Sequence, residues 1–191
     1  VDTGFRHDPE LNNFDHHQFP SDHPPLCSLS LVLQALGLYE DAREYCEWLE
    51  TLERFDSKGA VATAAWLEVD HEVLRRLNSP IDATVLKMFG DRDVITPADE
   101  LSTLMRAIGG HFLDYIAEMR KRLADIANRH QVWQIEKGGE VFHVLFFPRQ
   151  DPLPPDPSLG LAHFIDQSGQ PFAAMVYPDS RGKGYGLSRV M

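Results

Sequence analysis

The stretch Phe14-Asp15-His16-His17-Gln18 places one carboxylate and two imidazoles at consecutive positions. These groups are costly to bury without partners, so the triplet is a poor device for packing a core. Carboxylate and neutral imidazole are ligands that suit divalent manganese, iron, zinc or magnesium. We therefore interpret the triplet as part of a site for a divalent metal ion.

Two other carboxylates are candidates for the same site. Asp2 stands thirteen residues before Asp15, in a segment that has the character of a strand end. Asp56 follows a helical pattern from about Glu40 to Phe55 and begins the turn signal Asp56-Ser57-Lys58-Gly59. A carboxylate at a helix C-terminus is disfavoured by the helix dipole, so Asp56 is better explained by a cation partner.

The composition predicts a folded chain with a real core. Hydrophobic residues make up 43% of 191 residues, which suits one large domain or two small ones. No segment approaches the roughly 20 apolar residues that cross a bilayer, and no signal-peptide pattern opens the chain. Cys27 and Cys46 lack Cys-x-x-Cys spacing and are predicted to be buried, reduced thiols, in keeping with a cytoplasmic location. The net charge of −11 predicts a surface that repels nucleic acid, although a metal-loaded site would be locally positive.

Apolar spacing predicts a largely helical first part. A helix carrying Leu29, Val32, Leu33 and Leu36 is ended by Gly37, and the helix of about 40–55 follows. Short helices are expected at Asp70–Leu77 and Asp82–Phe89. Thr96-Pro97-Ala98-Asp99 predicts the start of a long helix, which Gly109-Gly110 should break or bend. Five further histidines are expected on the surface or in strands: His23, His71, His111, His130 and His143.

The composition changes near His130. Gln131–Glu136 and Glu140–Phe147 are β-rich runs joined by a Gly-Gly hairpin signal, and Phe172–Tyr177 and Tyr185–Val190 indicate two more strands. The sequence thus predicts a first domain over residues 1–128, with a long linking helix, and a small α+β domain over residues 129–191.

A basic, glycine-rich segment, Arg181-Gly182-Lys183-Gly184-Tyr185-Gly186, precedes Arg189. Glycines allow a backbone to approach a phosphate closely, and the cations supply charge. The segment is predicted either as a plain β-turn or as a substrate-binding site formed by Arg181, Lys183 and Arg189.

Several motifs occur together and in a fixed order in the first sixty residues. The chain resembles the DHH phosphoesterase superfamily, and more closely its MYG-type branch of exonucleases, named after the melanocyte-proliferation protein. The resemblance rests on Val1-Asp2-Thr3-Gly4, Asp8-Pro9, Phe14-Asp15-His16-His17-Gln18, Leu31-Val32-Leu33, Leu36-Gly37 and Phe55-Asp56-Ser57-Lys58-Gly59.

The resemblance implies an α/β fold, with a parallel-sheet metal domain and the smaller α+β domain as the substrate-binding part. It also implies two manganese or magnesium ions: Asp2 would bridge both, and His16 and Asp56 would bind one of them. Asp15 would orient the histidine pair, and His17 would donate to the phosphate. Two ions about 3.5–4 Å apart clamp the attacking and leaving oxygens of a phosphoryl group.

The activity implied is hydrolysis of phosphodiester bonds, as an exonuclease on RNA or short oligonucleotides. The family has an earlier His-x-Asp-type motif that is absent before Asp2, and the chain opens with Val1, so we expect residues to precede it. Two alternatives stay open: a metal-binding module without hydrolytic activity, used for interaction or regulation, and a hydrolase of small phosphate esters or dinucleotides. The sequence predicts no oligomeric state.

Overall fold

The computed structural model describes residues 4–75 and 80–190. The chain divides into two compact units, residues 1–112 and residues 113–191, here called unit 1 and unit 2. The division falls inside the long helix Glu100–Arg129, whereas the sequence placed the domain boundary at the end of that helix. Asp2 lies outside the described residues, as does the end of the helix predicted at Asp70–Leu77.

Unit 1 is mostly helical. Its strands are β1 (His7–Asp8) and β2 (Asn13–Phe14), and its helices are α1 (Ser28–Ala35), α2 (Tyr39–Tyr45), α3 (Trp48–Trp66), α4 (His71–Arg75), α5 (Pro80–Gly90) and the first part of α6 (Glu100–Arg129). The buried apolar side chains of this unit include Phe14, Cys27, Leu31, Leu33, Ala42, Cys46, Leu49, Ala64 and Leu101. Both cysteines are buried and free, as predicted.

The parallel sheet predicted for the metal domain is not found in the described part of unit 1. The strand pairing there is antiparallel, with His7 opposite Phe14 and Asp8 opposite Asn13. Parallel strands need a crossover connection of a dozen or more residues, and the connection between β1 and β2 is only a 3₁₀ turn at Pro9–Leu11. The apolar residues that follow have helical spacing and form α1 to α3 instead.

The helix predicted at 40–55 is two helices. Cys46 leaves the helical conformation, with φ −125° and ψ 83°, and separates α2 from α3. Helix α3 then continues beyond Phe55 to Trp66, with a single interruption at Gly59. Gly59 has φ 81°, a value that glycine adopts without the steric cost paid by other residues. The glycine thus interrupts the helix where the sequence predicted its end.

The start of α6 is capped by Asp99, whose Oδ1 accepts a hydrogen bond of 2.8 Å from the Leu101 N–H. Gly109-Gly110 does not break this helix, because α6 is helical from Glu100 to Arg129; a bend at this point stays a prediction. A glycine inside a helix costs about 1 kcal/mol, which packing elsewhere along a long helix can offset. Within residues 4–75 and 80–190, no helix combines the length and apolar character that crossing a membrane requires.

Unit 2 contains the rest of α6, the strands β3 (Gln131–Lys137), β4 (Glu140–Phe146), β5 (Ala174–Pro178) and β6 (Tyr185–Arg189), and helix α7 (Leu161–Ser168). The predicted hairpin is confirmed, with Gly138 and Gly139 both at positive φ, as a tight two-residue turn requires. The strand order is β3-β4-β5-β6, and only the β4–β5 pair is parallel. At the coarse level, the predicted mixture of helices and strands is confirmed.

One face of this sheet is covered by helices. Leu145 and Phe147, at the end of β4, are buried against Ile126 of α6 and against Leu161 and Ile165 of α7. Since successive side chains of a strand point to opposite faces, Val144 and Phe146 belong to the other face.

Candidate metal centre

The β1–β2 hairpin positions the Asp-His-His triplet. Phe14, the last residue of β2, is buried, and Asp15 and His16 follow it into the interior with exposed fractions of 1% and 7%. The tight connection depends on Asn12, which adopts the left-handed conformation with φ 54°. Asparagine tolerates this region better than most residues do.

The Asp15 carboxylate makes three contacts with nitrogen atoms of the protein. Its Oδ1 accepts from the backbone N–H of His17 at 2.8 Å and lies 2.9 Å from Nδ1 of the His17 ring, while Oδ2 accepts from the Phe5 N–H at 2.9 Å. The backbone N–H of His17 is the main reason why the pKa of Asp15 lies below its ordinary value. Asp15 therefore holds His17 by its backbone and its ring; that it orients both histidines of the pair stays a prediction.

His16 lies between α1 and α3. Its Nδ1 is 3.5 Å from Oγ of Ser28, at the start of α1, and its Nε2 is 3.4 Å from Oδ2 of Asp56 in α3. Two ligands of one ion, each about 2.1 Å from it, are about 3.4 Å apart in tetrahedral geometry and about 3.0 Å apart in octahedral geometry. The His16–Asp56 separation therefore suits two ligands of one cation.

The two imidazoles are stacked, with ring centroids 4.4 Å apart and an interplanar angle of 28°. Ligand atoms of Asp15, His16 and His17 all lie within 4.8 Å of one another. His17 is half exposed, with Phe5 at its edge. The pair thus has one buried imidazole beside Asp56 and one that can meet a molecule from solvent.

The helical turn before Gly59 carries both Asp56 and Lys58. Asp56 lies in the last helical turn before Gly59, and Lys58 in the same turn donates to the carbonyls of Ser21 and His23 at 2.6 and 2.9 Å. Lys58 therefore ties the proline-containing loop after the triplet to α3 beside Asp56.

A cavity of about 160 Å³ lies between this loop and α3. Its walls combine imidazole, carboxylate, hydroxyl and ammonium groups with a few apolar side chains. The lining residues are His16, His17, Phe19, Pro20, Ser21, His23, Pro24, Leu26, Asp56, Ser57 and Lys58.

His23 was missed as a site residue, because it was predicted to lie on the surface. It lines the cavity with its ring stacked on Phe19 at 4.5 Å and its Nδ1 2.8 Å from the Pro24 carbonyl oxygen. That contact makes Nδ1 the donor, which leaves Nε2 as an acceptor, the tautomer seen in many metal-binding histidines. The available signal was a third histidine within the same proline-containing connection.

The predicted substrate-binding residues belong to unit 2. Arg181 and Lys183 lie in the turn between β5 and β6, and Arg189 ends β6. Arg181 donates to both carboxylate oxygens of Asp179 at 3.0 Å, an ion pair that lowers the pKa of Asp179. Arg181 is thus engaged within its own turn, while the exposed Lys183 and Arg189 form no ion pair among the described residues of unit 2.

A cavity of about 500 Å³ in unit 2 lies beside the proline-rich loop after β4. The arginines that line this cavity donate hydrogen bonds to backbone carbonyls of the loop. Arg122 donates to the Leu159 and Pro157 carbonyls, and Arg129 donates to Asp125 and to the Pro148 carbonyl. Both guanidinium groups also lie over the Phe147 ring. These contacts explain the arginines as structural.

The fold and the site together define an α/β chain with a candidate carboxylate–imidazole metal centre in its helical unit. Searches of protein-family models, curated proteins and solved structures found no match for the chain.

Proposed function

We propose that this chain belongs to a divalent-metal-dependent phosphoesterase of the DHH type that hydrolyses phosphodiester bonds, with RNA or short oligonucleotides as substrates. The proposal includes two manganese or magnesium ions and a cytoplasmic location, which suits the free cysteines.

The observation that carries the proposal is the approach of His16 Nε2 to Asp56 Oδ2 at 3.4 Å, beside a stacked second imidazole. Imidazole ligands alone would suit Mn²⁺ or Mg²⁺ poorly. A ligand set that also contains carboxylates, as here, suits both ions. His16 and Asp56 would hold one ion. Asp2 is assigned the bridging position by the resemblance alone.

When bound, the ions would supply Lewis-acid charge and a hydroxide nucleophile near neutral pH. The protein residues would do the rest. Asp15 holds the His17 ring by accepting from Nδ1, so that Nε2 is directed away from Asp15. With Nδ1 donating to Asp15, a second proton on Nε2 would make the ring an imidazolium, which the Asp15 carboxylate would stabilise. The Nε2–H group would then donate a hydrogen bond to a phosphate oxygen.

The test is a manganese titration of the metal-stripped chain, followed calorimetrically, for wild type, His16→Ala and Asp56→Asn. Both substitutions remove a proposed ligand. Removing a residue that only hydrogen-bonds to a metal ligand already costs roughly 10- to 100-fold in affinity, so each substitution should weaken manganese binding by at least that factor. His111→Ala is the matched control, because His111 is exposed on α6. It should bind manganese like wild type.

Hydrolysis is measured in parallel on bis-p-nitrophenyl phosphate, dinucleotides and a longer RNA. Asp2→Ala and His16→Ala should abolish manganese-stimulated release of nucleotides. Unchanged turnover in both variants would refute the mechanism. Tight manganese binding without turnover on any substrate would instead identify a non-hydrolytic metal-binding module.

A further inference from the structure

The uncovered face of the unit 2 sheet carries an unusual number of large apolar side chains. Strand alternation and register place Trp133 and Ile135 of β3, Phe142 and Phe146 of β4, and Tyr185 and Leu187 of β6 on the face opposite the helices. Trp133 is 43% exposed, Tyr185 45% and Leu187 72%. We call this surface the aromatic face.

Three of its rings form a row across the sheet. The Trp133 and Phe146 rings are stacked, with centroids 4.1 Å apart and an interplanar angle of 14°, and the Phe146 and Tyr185 centroids are 5.3 Å apart. The hydroxyl of Tyr185 accepts a hydrogen bond from the Arg149 N–H at 3.1 Å, which fixes that end of the row. The rings are therefore held in place before any ligand binds.

The charges around the aromatic face are mainly positive. Arg189 and Lys137 share this face by strand alternation, and Lys183 lies in the turn that precedes Tyr185. In the four strands, the one acidic residue on the aromatic face is Glu140, which lies directly across from Lys137. An anionic occupant would meet the cations of Arg189 and Lys183, which have no ion-pair partner among the described residues of unit 2.

The net charge of the chain is not shared between the units. Residues 113–191 contain nine Lys and Arg and nine Asp and Glu, so the whole net charge of −11 falls on residues 1–112. Unit 2 taken by itself is therefore formally neutral, and its own net charge does not repel nucleic acid.

We infer that the aromatic face binds single-stranded nucleic acid by stacking bases on Trp133 and Tyr185, with phosphates near Arg189 and Lys183. Every base has a π-face, so such a row of rings binds single strands with little sequence preference. A second copy of the chain would need an apolar, charge-complementary surface, and the positive charges here would repel their own copies. The identification of this ligand as the enzyme's substrate rests on the proposed function, whereas the binding itself does not.

The test is fluorescence anisotropy of a short labelled oligouridine and of the matching oligothymidine, measured with the full chain in EDTA. Without metal ions the oligonucleotide is not hydrolysed, so binding is measured independently of the proposed chemistry. Trp133→Leu should lower the affinity by about 5- to 150-fold, as expected for the loss of one stacked base. Arg189→Gln should reduce the salt dependence of binding by about one unit of slope.

Trp48→Leu is the matched control, because Trp48 is a half-exposed tryptophan of unit 1 with its ring 5.6 Å from Phe112. It should leave the affinity unchanged. Equal binding by wild type and Trp133→Leu, a preference for duplex over single strand, or concentration-dependent dimers that Trp133→Leu dissociates would each overturn the inference. Tighter binding of oligouridine would identify RNA as the preferred ligand, and tighter binding of oligothymidine would identify single-stranded DNA. Intact binding together with absent hydrolysis would count against the proposed function alone.

Discussion

Nε2 of His16 lies 3.4 Å from Oδ2 of Asp56, and this approach joins the loop after β2 to the helical turn before Gly59. The two residues are far apart in sequence and are brought together by the packing of α1 and α3. A divalent cation would stabilise their proximity.

Asp15→Asn should lower manganese-stimulated hydrolysis without removing a proposed ligand. The carboxylate of Asp15 accepts from the Phe5 N–H, the His17 N–H and the His17 ring, so the amide group of asparagine would face at least one donor with another donor. Loss of the orientation of His17 should lower turnover by about 10- to 100-fold, while calorimetry should show manganese affinity close to that of wild type. Asp22→Asn, at an exposed position of the same segment, is the control and should have no effect. Equal turnover by both variants would contradict the orienting role.

Glu53→Ala should destabilise unit 1. The buried Glu53 carboxylate accepts from the Ser30 hydroxyl at 2.6 Å and from the Tyr39 hydroxyl at 2.7 Å. Alanine leaves the fully buried Ser30 without its acceptor, and an unsatisfied buried donor costs about 1–3 kcal/mol. Urea denaturation would measure the change in the free energy of unfolding. Glu50→Ala, at a half-exposed position whose carboxylate pairs with Arg43, should change it by less than about 1 kcal/mol.

Leu145→Ala should destabilise unit 2 by about 2–5 kcal/mol, because Leu145 is fully buried between the sheet and its helices. Leu187→Ala is the matched control in the same sheet, on the opposite and exposed face. It should cost less than about 0.5 kcal/mol in the same denaturation experiment. Similar costs for the two substitutions would mean that the helices do not cover the assigned face.

Asp99 should make stability depend on pH in the acid range. The N–H of Leu101, and then the guanidinium of Arg92, hold the pKa of Asp99 below the ordinary value of 3.8. The unfolded chain therefore binds a proton at higher pH than the folded chain does. The contribution of the charged Asp99 is present above about pH 4 and is lost as the pH falls through its folded-state pKa.

Asp99→Asn keeps an acceptor for the Leu101 N–H and removes the charge. The variant should therefore have a lower melting temperature than wild type near neutral pH, and the difference should disappear in strong acid. Thermal unfolding followed by circular dichroism at several pH values checks this. A difference that stays constant with pH would show that the charge of Asp99 contributes nothing.

Local patterns predicted several elements of this protein. The Gly-Gly hairpin, the last two strands and the buried cysteines follow from turn chemistry and apolar spacing, which act over a few residues. Local rules failed at Cys46, where one predicted helix is two, and at Gly59, where the predicted end of a helix is an interruption. They also predicted a break or bend at Gly109-Gly110, where α6 continues because packing elsewhere along a long helix offsets about 1 kcal/mol for each glycine.

The sequence alone also located candidate metal ligands, because Asp15, His16 and His17 are consecutive. Only the tertiary structure decided that Asp56 and His23 border the same cavity as His16, and that Trp133, Phe146 and Tyr185 form one row. Those relationships join residues that are distant in the chain. They depend on how helices and strands pack, and a one-dimensional pattern does not contain that information.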